Sequence, residues 1–183
     1  MTRLIIFIVG SFFIVAVSWK SLRHPRSHGF YRFFAWEAIL GIVLLNVPVW
    51  FRDALAWYQI ISWFLLILSI IPLALGIHLL RTAGKPNQDK RHDPQLIAFE
   101  KTTQLVTIGI YRFIRHPLYS SLFLLNWGVF FKNPSWPGAL LAVTAALFLI
   151  ATARADEREC RQKFGEEYED YMKRTKMFIP YLF

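Results

Sequence analysis

The chain has 183 residues, of which 55% are hydrophobic and 18% are charged, and its formal net charge is +9. This composition excludes an intrinsically disordered chain, and the apolar content is high for a soluble domain. The charge alone would suit a nucleic-acid-binding protein, but the Lys and Arg residues lie between long apolar runs, as they do in membrane proteins. The single cysteine, Cys160, excludes an internal disulfide and a cysteine zinc cluster.

Four apolar stretches follow one another along the chain and predict membrane-spanning helices. The first three cover residues 4–19, 33–51 and 57–80. The fourth covers residues 118–153, but residues 132–138 within it contain two prolines and a glycine, which is the composition of a turn. We therefore predict an all-α integral membrane protein of about five transmembrane helices, with a C-terminal helical hairpin and a cytoplasmic capping helix.

The distribution of basic residues predicts the orientation in the membrane. Eighteen of the 21 Lys and Arg residues lie in the segments 20–32, 81–117 and 154–183. The positive-inside rule then places the N-terminus outside, and the C-terminus and both long polar segments in the cytoplasm. The alternative is that the first span is a cleaved signal peptide. The predicted organisation is one membrane domain, 1–183, comprising three spans in 1–80, a cytoplasmic loop at 81–117, the hairpin at 118–153 and a C-terminal helix and tail at 154–183.

Two short motifs are predicted to meet at the cytoplasmic ends of this hairpin. Arg115-His116-Pro117-Leu118-Tyr119 precedes its first helix, and Asp156-Glu157 follows its second. Each motif also has a purely structural explanation. In the first, the Arg would snorkel to the headgroups, the Pro would start a helix and the Tyr would lie at the membrane interface. In the second, the acids would stabilise the start of a helix. However, helices joined by a short turn are neighbours, so His116 and Asp156 are expected to lie in one site.

Other candidates are weaker. Glu37 is an intramembrane acid, and we interpret it as structural, reaching back to the interface near Arg32. His24 and His28 lie four residues apart in a short basic segment without a third metal ligand in reach, so no metal site is predicted. The sequence contains no glycine-rich phosphate loop and no Gly-x-Ser-x-Gly elbow.

The C-terminal half resembles a known family. Residues 105–119, the hairpin, Asp156-Glu157, the segment 164–168 and Ile179-Pro180 together resemble the isoprenylcysteine carboxyl methyltransferase family, whose wider group includes phospholipid methyltransferases. The resemblance covers roughly residues 96–183. Its specificity comes from the combination of Arg-His-Pro-x-Tyr with a downstream acidic pair.

The resemblance implies an integral-membrane enzyme that transfers a methyl group from S-adenosylmethionine to a lipophilic or membrane-bound acceptor, with the cofactor pocket on the cytoplasmic side. His116 would position the cofactor or polarise the acceptor, and Arg115 would bind an acceptor headgroup or the cofactor carboxylate. Carboxylates suit the sulfonium and ammonium charges, and tyrosine faces add a cation–π contribution of about 0.5–2 kcal/mol. The residues implied in cofactor binding are Thr103, Gln104, Leu105, Val106, Tyr111, His116, Pro117, Leu118, Tyr119, Asp156 and Glu157.

The chain departs from the family pattern at four positions. Ile110 replaces a frequent Pro, Ser121 replaces a Gly, and Asp156 replaces the first Glu of the pair. More seriously, Thr152 stands where enzymes that act on isoprenylcysteine have an Arg suited to the substrate carboxylate. This change puts the prenylcysteine substrate in doubt and leaves the cofactor site intact.

Two alternatives come from other function classes. The C-terminus also resembles membrane sterol reductases, which use NADPH, although a dinucleotide needs more cationic contacts than this site offers. The other alternative is a non-catalytic membrane subunit that holds a lipid in the pocket. Binding of S-adenosylhomocysteine, NADPH or neither distinguishes the three.

Overall fold

The computed structural model describes residues 1–87, 96 and 100–182, and within them it confirms the predicted all-α fold. Short 3₁₀ turns lie at Val47–Val49 and Gly109–Arg112. Part of the predicted cytoplasmic loop, residues 88–95 and 97–99, lies outside the described residues. The α-helices are α1 (Thr2–Leu22), α2 (His28–Asn46), α3 (Trp57–Thr82), α4 (Pro117–Phe130), α5 (Trp136–Phe164) and α6 (Glu166–Arg174).

Four of these helices, α1, α2, α3 and α5, are long and apolar enough to cross a membrane. The remaining predicted span corresponds to α4, which has 14 residues. At about 1.5 Å per residue it is about 21 Å long, less than the roughly 30 Å of a bilayer core. The described residues therefore contain four helices of crossing length, and the predicted span at 118–131 is a shorter helix beside them.

The helices pack in pairs around small residues. α2 packs most extensively on α5, and α3 packs on α4, while α1 lies mainly against α2. At the contact of α2 with α5, Ala38, Ile39 and Ala145 are buried together. Small side chains let helix backbones approach closely in lipid, where packing rather than water exclusion holds helices together.

The tip of the hairpin is held by a buried lysine. Lys132, in the turn between α4 and α5, is 1% exposed, and its Nζ donates to Gln59 Oε1 at 3.0 Å. The same Nζ lies 3.4 Å from the centroid of the Trp63 ring. Ser135 then caps α5 by accepting a hydrogen bond from the amide of Gly138. The turn at the tip of the hairpin is thus bound to α3 through the Lys132 side chain. The sequence pattern predicts only a turn here.

Two local interpretations are wrong. The acidic pair does not open a separate C-terminal helix, because α5 runs without a break to Phe164 and ends at Gly165, whose φ is +56°. Glu37 does not reach back to Arg32. It accepts a hydrogen bond from Ser11 of α1 at 2.7 Å, whereas Arg32 pairs with Glu100 at 2.6 Å.

Candidate functional site

The start of α4 and the C-terminal part of α5 bring the two sequence motifs together. His116 Nδ1 lies 3.4 Å from Asp156 Oδ2, and His116 Nε2 lies 3.5 Å from Glu157 Oε1. His116 is 5% exposed, and its Nε2 makes no hydrogen bond. The predicted juxtaposition of His116 with the acidic pair is therefore present.

Local sequence explains why His116 lies here. Pro117 is the first residue of α4, where its missing amide hydrogen costs nothing, and His116 precedes it as the N-cap residue. A close approach of α3 to this point depends on Gly76. A Cβ built on Gly76 would lie 2.6 Å from Leu118 Cδ1. The His116 ring stacks on Tyr119 with a centroid distance of 5.5 Å.

The environment favours a charged His116. Burial lowers the pKa of the imidazole, but the neighbouring carboxylates of Asp156 and Glu157 raise it by more, so the pKa lies above the ordinary value. The pKa of the Tyr111 hydroxyl is raised well above its usual value by burial, so this side chain stays neutral. The charged form of the His116 ring is thus favoured by the two carboxylates that it faces, Asp156 and Glu157.

Arg115 is occupied by contacts within the protein. Its Nε donates to Glu157 Oε1 at 2.8 Å, and its Nη2 forms an ion pair with the same oxygen at 2.7 Å. Its Nη1 donates to the carbonyl oxygens of Met172 and Thr175, at the end of α6. These bonds tie α6 to α5, and they compete with the ligand-binding role that the resemblance implies for Arg115.

A cavity lies beside His116, with about 750 Å³ of space free of protein atoms, part of which is open to solvent. Thr103 and Glu157 are not in its wall, since Thr103 Oγ1 donates to the Lys85 carbonyl and Glu157 faces Arg115. The predicted residues that line it are Gln104, Leu105, Val106, Tyr111, Arg115, His116, Pro117, Leu118, Tyr119 and Asp156.

Sequence reasoning missed a second polar group in this wall. His28, at the start of α2, donates through its backbone amide to Glu159 at 2.8 Å, and its Nδ1 lies 2.7 Å from the same carboxylate. Glu100, which pairs with Arg32, also lines the cavity. The sequence feature that could have indicated these residues is the spacing of His28 and Arg32. They lie one helical turn apart, at the end of α2 that is predicted to be cytoplasmic.

The cap over the cavity is aromatic. Tyr168 and Tyr171 of α6 are each 3% exposed and line the cavity. The Tyr171 hydroxyl donates to the carbonyl of Tyr111 at 2.6 Å. Gly165 allows the sharp change of direction that folds α6 back over the site.

The cavity wall contains carboxylates, aromatic rings and basic groups that are paired with carboxylates. Asp156 and Glu100 supply carboxylates, and Tyr111 and Tyr119 supply buried aromatic rings. Among the described residues, Arg115 is the Lys or Arg side chain in the cavity wall, and most of its donor groups already bind protein oxygens. Within that part of the chain, no group of His, Cys, Asp and Glu side chains is arranged to hold a metal ion.

Comparison with known proteins agrees with the resemblance. Residues 80–183 match the model of the family described as "Ergosterol biosynthesis ERG4/ERG24 family". The chain is 37% identical over 87 residues to the nickel-cobalt-cadmium resistance protein NccN of Alcaligenes xylosoxydans xylosoxydans, a match that covers 47% of this chain and 40% of that protein. It is 36% identical over 83 residues to protein-S-isoprenylcysteine O-methyltransferase of Mus musculus, covering 44% and 29%.

A reductase is also among the relatives. The chain is 31% identical over 108 residues to the Delta(14)-sterol reductase erg24 of Schizosaccharomyces pombe, covering 56% of this chain and 25% of that protein. In each of these three matches the aligned region spans less than half of the relative's length. No solved structure matches the chain.

Proposed function

We propose that this chain, which belongs to the ergosterol biosynthesis ERG4/ERG24 family, is an integral-membrane methyltransferase that uses S-adenosylmethionine. The observation that carries the proposal is the carboxylate of Asp156, which lines a cavity beside His116. A wall that offers carboxylates and tyrosine rings, and whose basic side chains are already paired with carboxylates, suits a positively charged donor better than a polyphosphate.

When bound, S-adenosylmethionine supplies a methyl group on a positively charged sulfur. Asp156 and Glu100 offset positive charge, and the buried rings of Tyr111 and Tyr119 offer faces for a cation–π contact. Backbone groups of Leu105 and Val106, which line the cavity, would offer hydrogen bonds to a base edge. Methyl transfer needs no covalent enzyme nucleophile, so the contribution of these residues is proximity and orientation in a site that limits water.

His116 serves this arrangement by holding the acidic pair. Its two ring nitrogens face Asp156 and Glu157, so its charge keeps both carboxylates oriented in the absence of ligand. When a cation enters beside Asp156, the proton on His116 becomes less favourable because two positive charges then share the site. The binding of a cation should therefore release a proton from His116.

The acceptor is proposed to be lipophilic or membrane-bound. Leu80, Leu96 and Leu118 form an apolar part of the cavity wall. Thr152 is fully buried and donates to the carbonyl of Phe148 at 2.7 Å, so this position offers no anchor for a substrate carboxylate. With the orientation predicted from the basic residues, the site opens at the cytoplasmic side of the membrane.

A sterol-reductase-like activity with NADPH is the second candidate, and the relative from Schizosaccharomyces pombe favours it. The phosphates of a dinucleotide need cationic partners. Arg115 and the two histidines are the basic side chains in the wall among the described residues, and all three already face carboxylates. This charge distribution favours the methyl donor.

The single cysteine gives a direct test. Cys160 lines the cavity, with its Sγ 3.7 Å from Asp156 Oδ1. Alkylation of Cys160 by a maleimide, followed by mass spectrometry of the detergent-solubilised protein, should be slowed by S-adenosylhomocysteine and not by NADPH. In Asp156→Asn, protection should need a higher concentration of S-adenosylhomocysteine. Protection by NADPH alone would favour the reductase, and protection by neither would favour a non-catalytic lipid-binding subunit.

A further inference from the structure

The segment that follows α6 returns to the site without entering the cavity. Lys176 and Ile114 form an isolated parallel bridge. The backbone amide of Arg115 donates to the Lys176 carbonyl at 2.8 Å, and that of His116 donates to the Met177 carbonyl at 3.2 Å. The backbone immediately before α4 is therefore held in place by the C-terminal tail, residues 175–182.

Phe178 extends this contact into the bundle. It is 5% exposed, and its carbonyl accepts a hydrogen bond from Ser120 Oγ at 2.9 Å. Its ring stacks on Phe123 at 5.9 Å and lies 6.2 Å from the His116 ring. Phe178 also packs in one buried cluster with Tyr119 and Ala153, which joins α4 to α5. The cavity wall does not include Phe178.

The ion pairs of His116 do not by themselves fix the orientation of its ring. The distances to Asp156 and Glu157 are 3.4 and 3.5 Å, longer than the 2.7–2.9 Å typical of charge-assisted hydrogen bonds. The ring instead has two aromatic neighbours, Tyr119 stacked at 5.5 Å and Phe178 tilted at 6.2 Å. Packing against these rings is what sets the angle at which the imidazole faces the acidic pair.

We propose that Phe178 is a positioning residue, which acts through His116 and Tyr119 to preorganise the binding site for the methyl donor. This inference rests on the proposed function. Phe178 touches no ligand in this account, so its effect is transmitted by the imidazole and by the wall residue Tyr119. Loss of the ring would free His116 to rotate and would widen the contact between α4 and α5 beside Ala153.

The test compares three variants in detergent. Phe178→Ala should weaken binding of S-adenosylhomocysteine by about tenfold or more, because a displaced binding residue loses alignment with the ligand. Phe178→Leu, which restores apolar volume, should recover part of this affinity. Tyr181→Ala, in the same tail, removes a ring that is 81% exposed and should bind like the unchanged protein.

Loss of folding is separated from loss of positioning by two further measurements. Lys132→Met should destabilise the opposite end of the hairpin, where Gln59 loses its partner, and so should provide a control with lowered stability and an intact site. Histidine NMR titration of labelled protein reads His116 directly, and Phe178→Ala should shift its resonance and its titration midpoint. A folded Phe178→Ala variant with unchanged affinity and an unchanged His116 titration would overturn the proposal. Failure of the unchanged protein to bind S-adenosylhomocysteine would instead contradict the proposed function, while the NMR titration would still decide the role of Phe178.

Discussion

The buried ion pair of Arg115 and Glu157 provides the sharpest test of how the cap is attached to the bundle. The two side chains are 9% and 7% exposed, and Glu157 Oε1 accepts a hydrogen bond from Nε of Arg115 and lies 2.7 Å from its Nη2. Arg115 also donates to carbonyl oxygens at the end of α6. We consider Arg115→Ala, Glu157→Gln and the double variant.

The structure sets the expected magnitudes. Removing one member of a buried ion pair leaves an uncompensated charge and typically costs about 3–5 kcal/mol. Arg115→Ala should lie at the upper end of this range, because it also leaves the carbonyls of Met172 and Thr175 without their donor at about 1 kcal/mol each. Glu157→Gln keeps one acceptor oxygen and should cost less. The double variant should be less destabilised than the sum of the single variants, by about 2 kcal/mol.

The assay is denaturant unfolding in mixed micelles, followed by near-UV circular dichroism and by binding of S-adenosylhomocysteine. The prediction is a stability loss with a coupling energy of about 2 kcal/mol. Arg115→Lys, which keeps the charge but not the planar fork, should restore only part of the stability. If Arg115→Ala leaves stability unchanged and abolishes binding alone, Arg115 is a ligand-binding residue, as the family resemblance implies, and the structural explanation is refuted.

Three further predictions concern other parts of the chain. Burial lowers the pKa of His116 and the nearby carboxylates raise it by more, so it lies above 6.5. The stability that this histidine contributes should be fully present below about pH 6.5 and be lost as the pH rises through the folded-state pKa; His116→Gln should flatten this dependence in unfolding experiments carried from about pH 6 to higher pH. Lys132→Met should lower stability by about 2–3 kcal/mol, because Gln59 loses a charged partner, yet leave binding of S-adenosylhomocysteine unchanged in calorimetry. Gly76→Ala should cost about 1 kcal/mol and weaken binding by displacing the start of α4, whereas Gly41→Ala, whose Cβ would have 3.5 Å contacts, should be neutral or stabilising; equal effects of the two variants would contradict this.

The part of the site that local sequence determines could be predicted. A turn of two prolines and a glycine between apolar runs gives a hairpin, and a Pro after His116 fixes where α4 begins. Since a short turn makes the two helices neighbours, His116 and Asp156 had to come together. The resemblance added loop residues, of which Gln104, Leu105, Val106 and Tyr111 line the cavity and Thr103 does not.

The rest depends on contacts between distant segments, which periodicity does not encode. Glu159 of α5 binds His28 of α2, 131 positions away, and no local pattern predicts such a pair. The charged residues after Ala153 favour the prediction of a separate helix. In the structure α5 continues past the apolar stretch, because charged residues such as Arg and Glu also have high helix propensity. The position of Phe178 beside His116 could not be predicted from the sequence either, since an apolar C-terminal segment fits many positions in a membrane bundle.

The central claim is that Asp156 makes this cavity a site for a positively charged methyl donor. Isothermal titration of the solubilised protein with S-adenosylmethionine, with NADPH as the competing ligand, tests it most directly. The account predicts saturable binding of S-adenosylmethionine that Asp156→Asn weakens by about tenfold to a hundredfold, from loss of a charged partner, and no binding of NADPH. Undiminished binding to Asp156→Asn, or saturable binding of NADPH in place of S-adenosylmethionine, would contradict it.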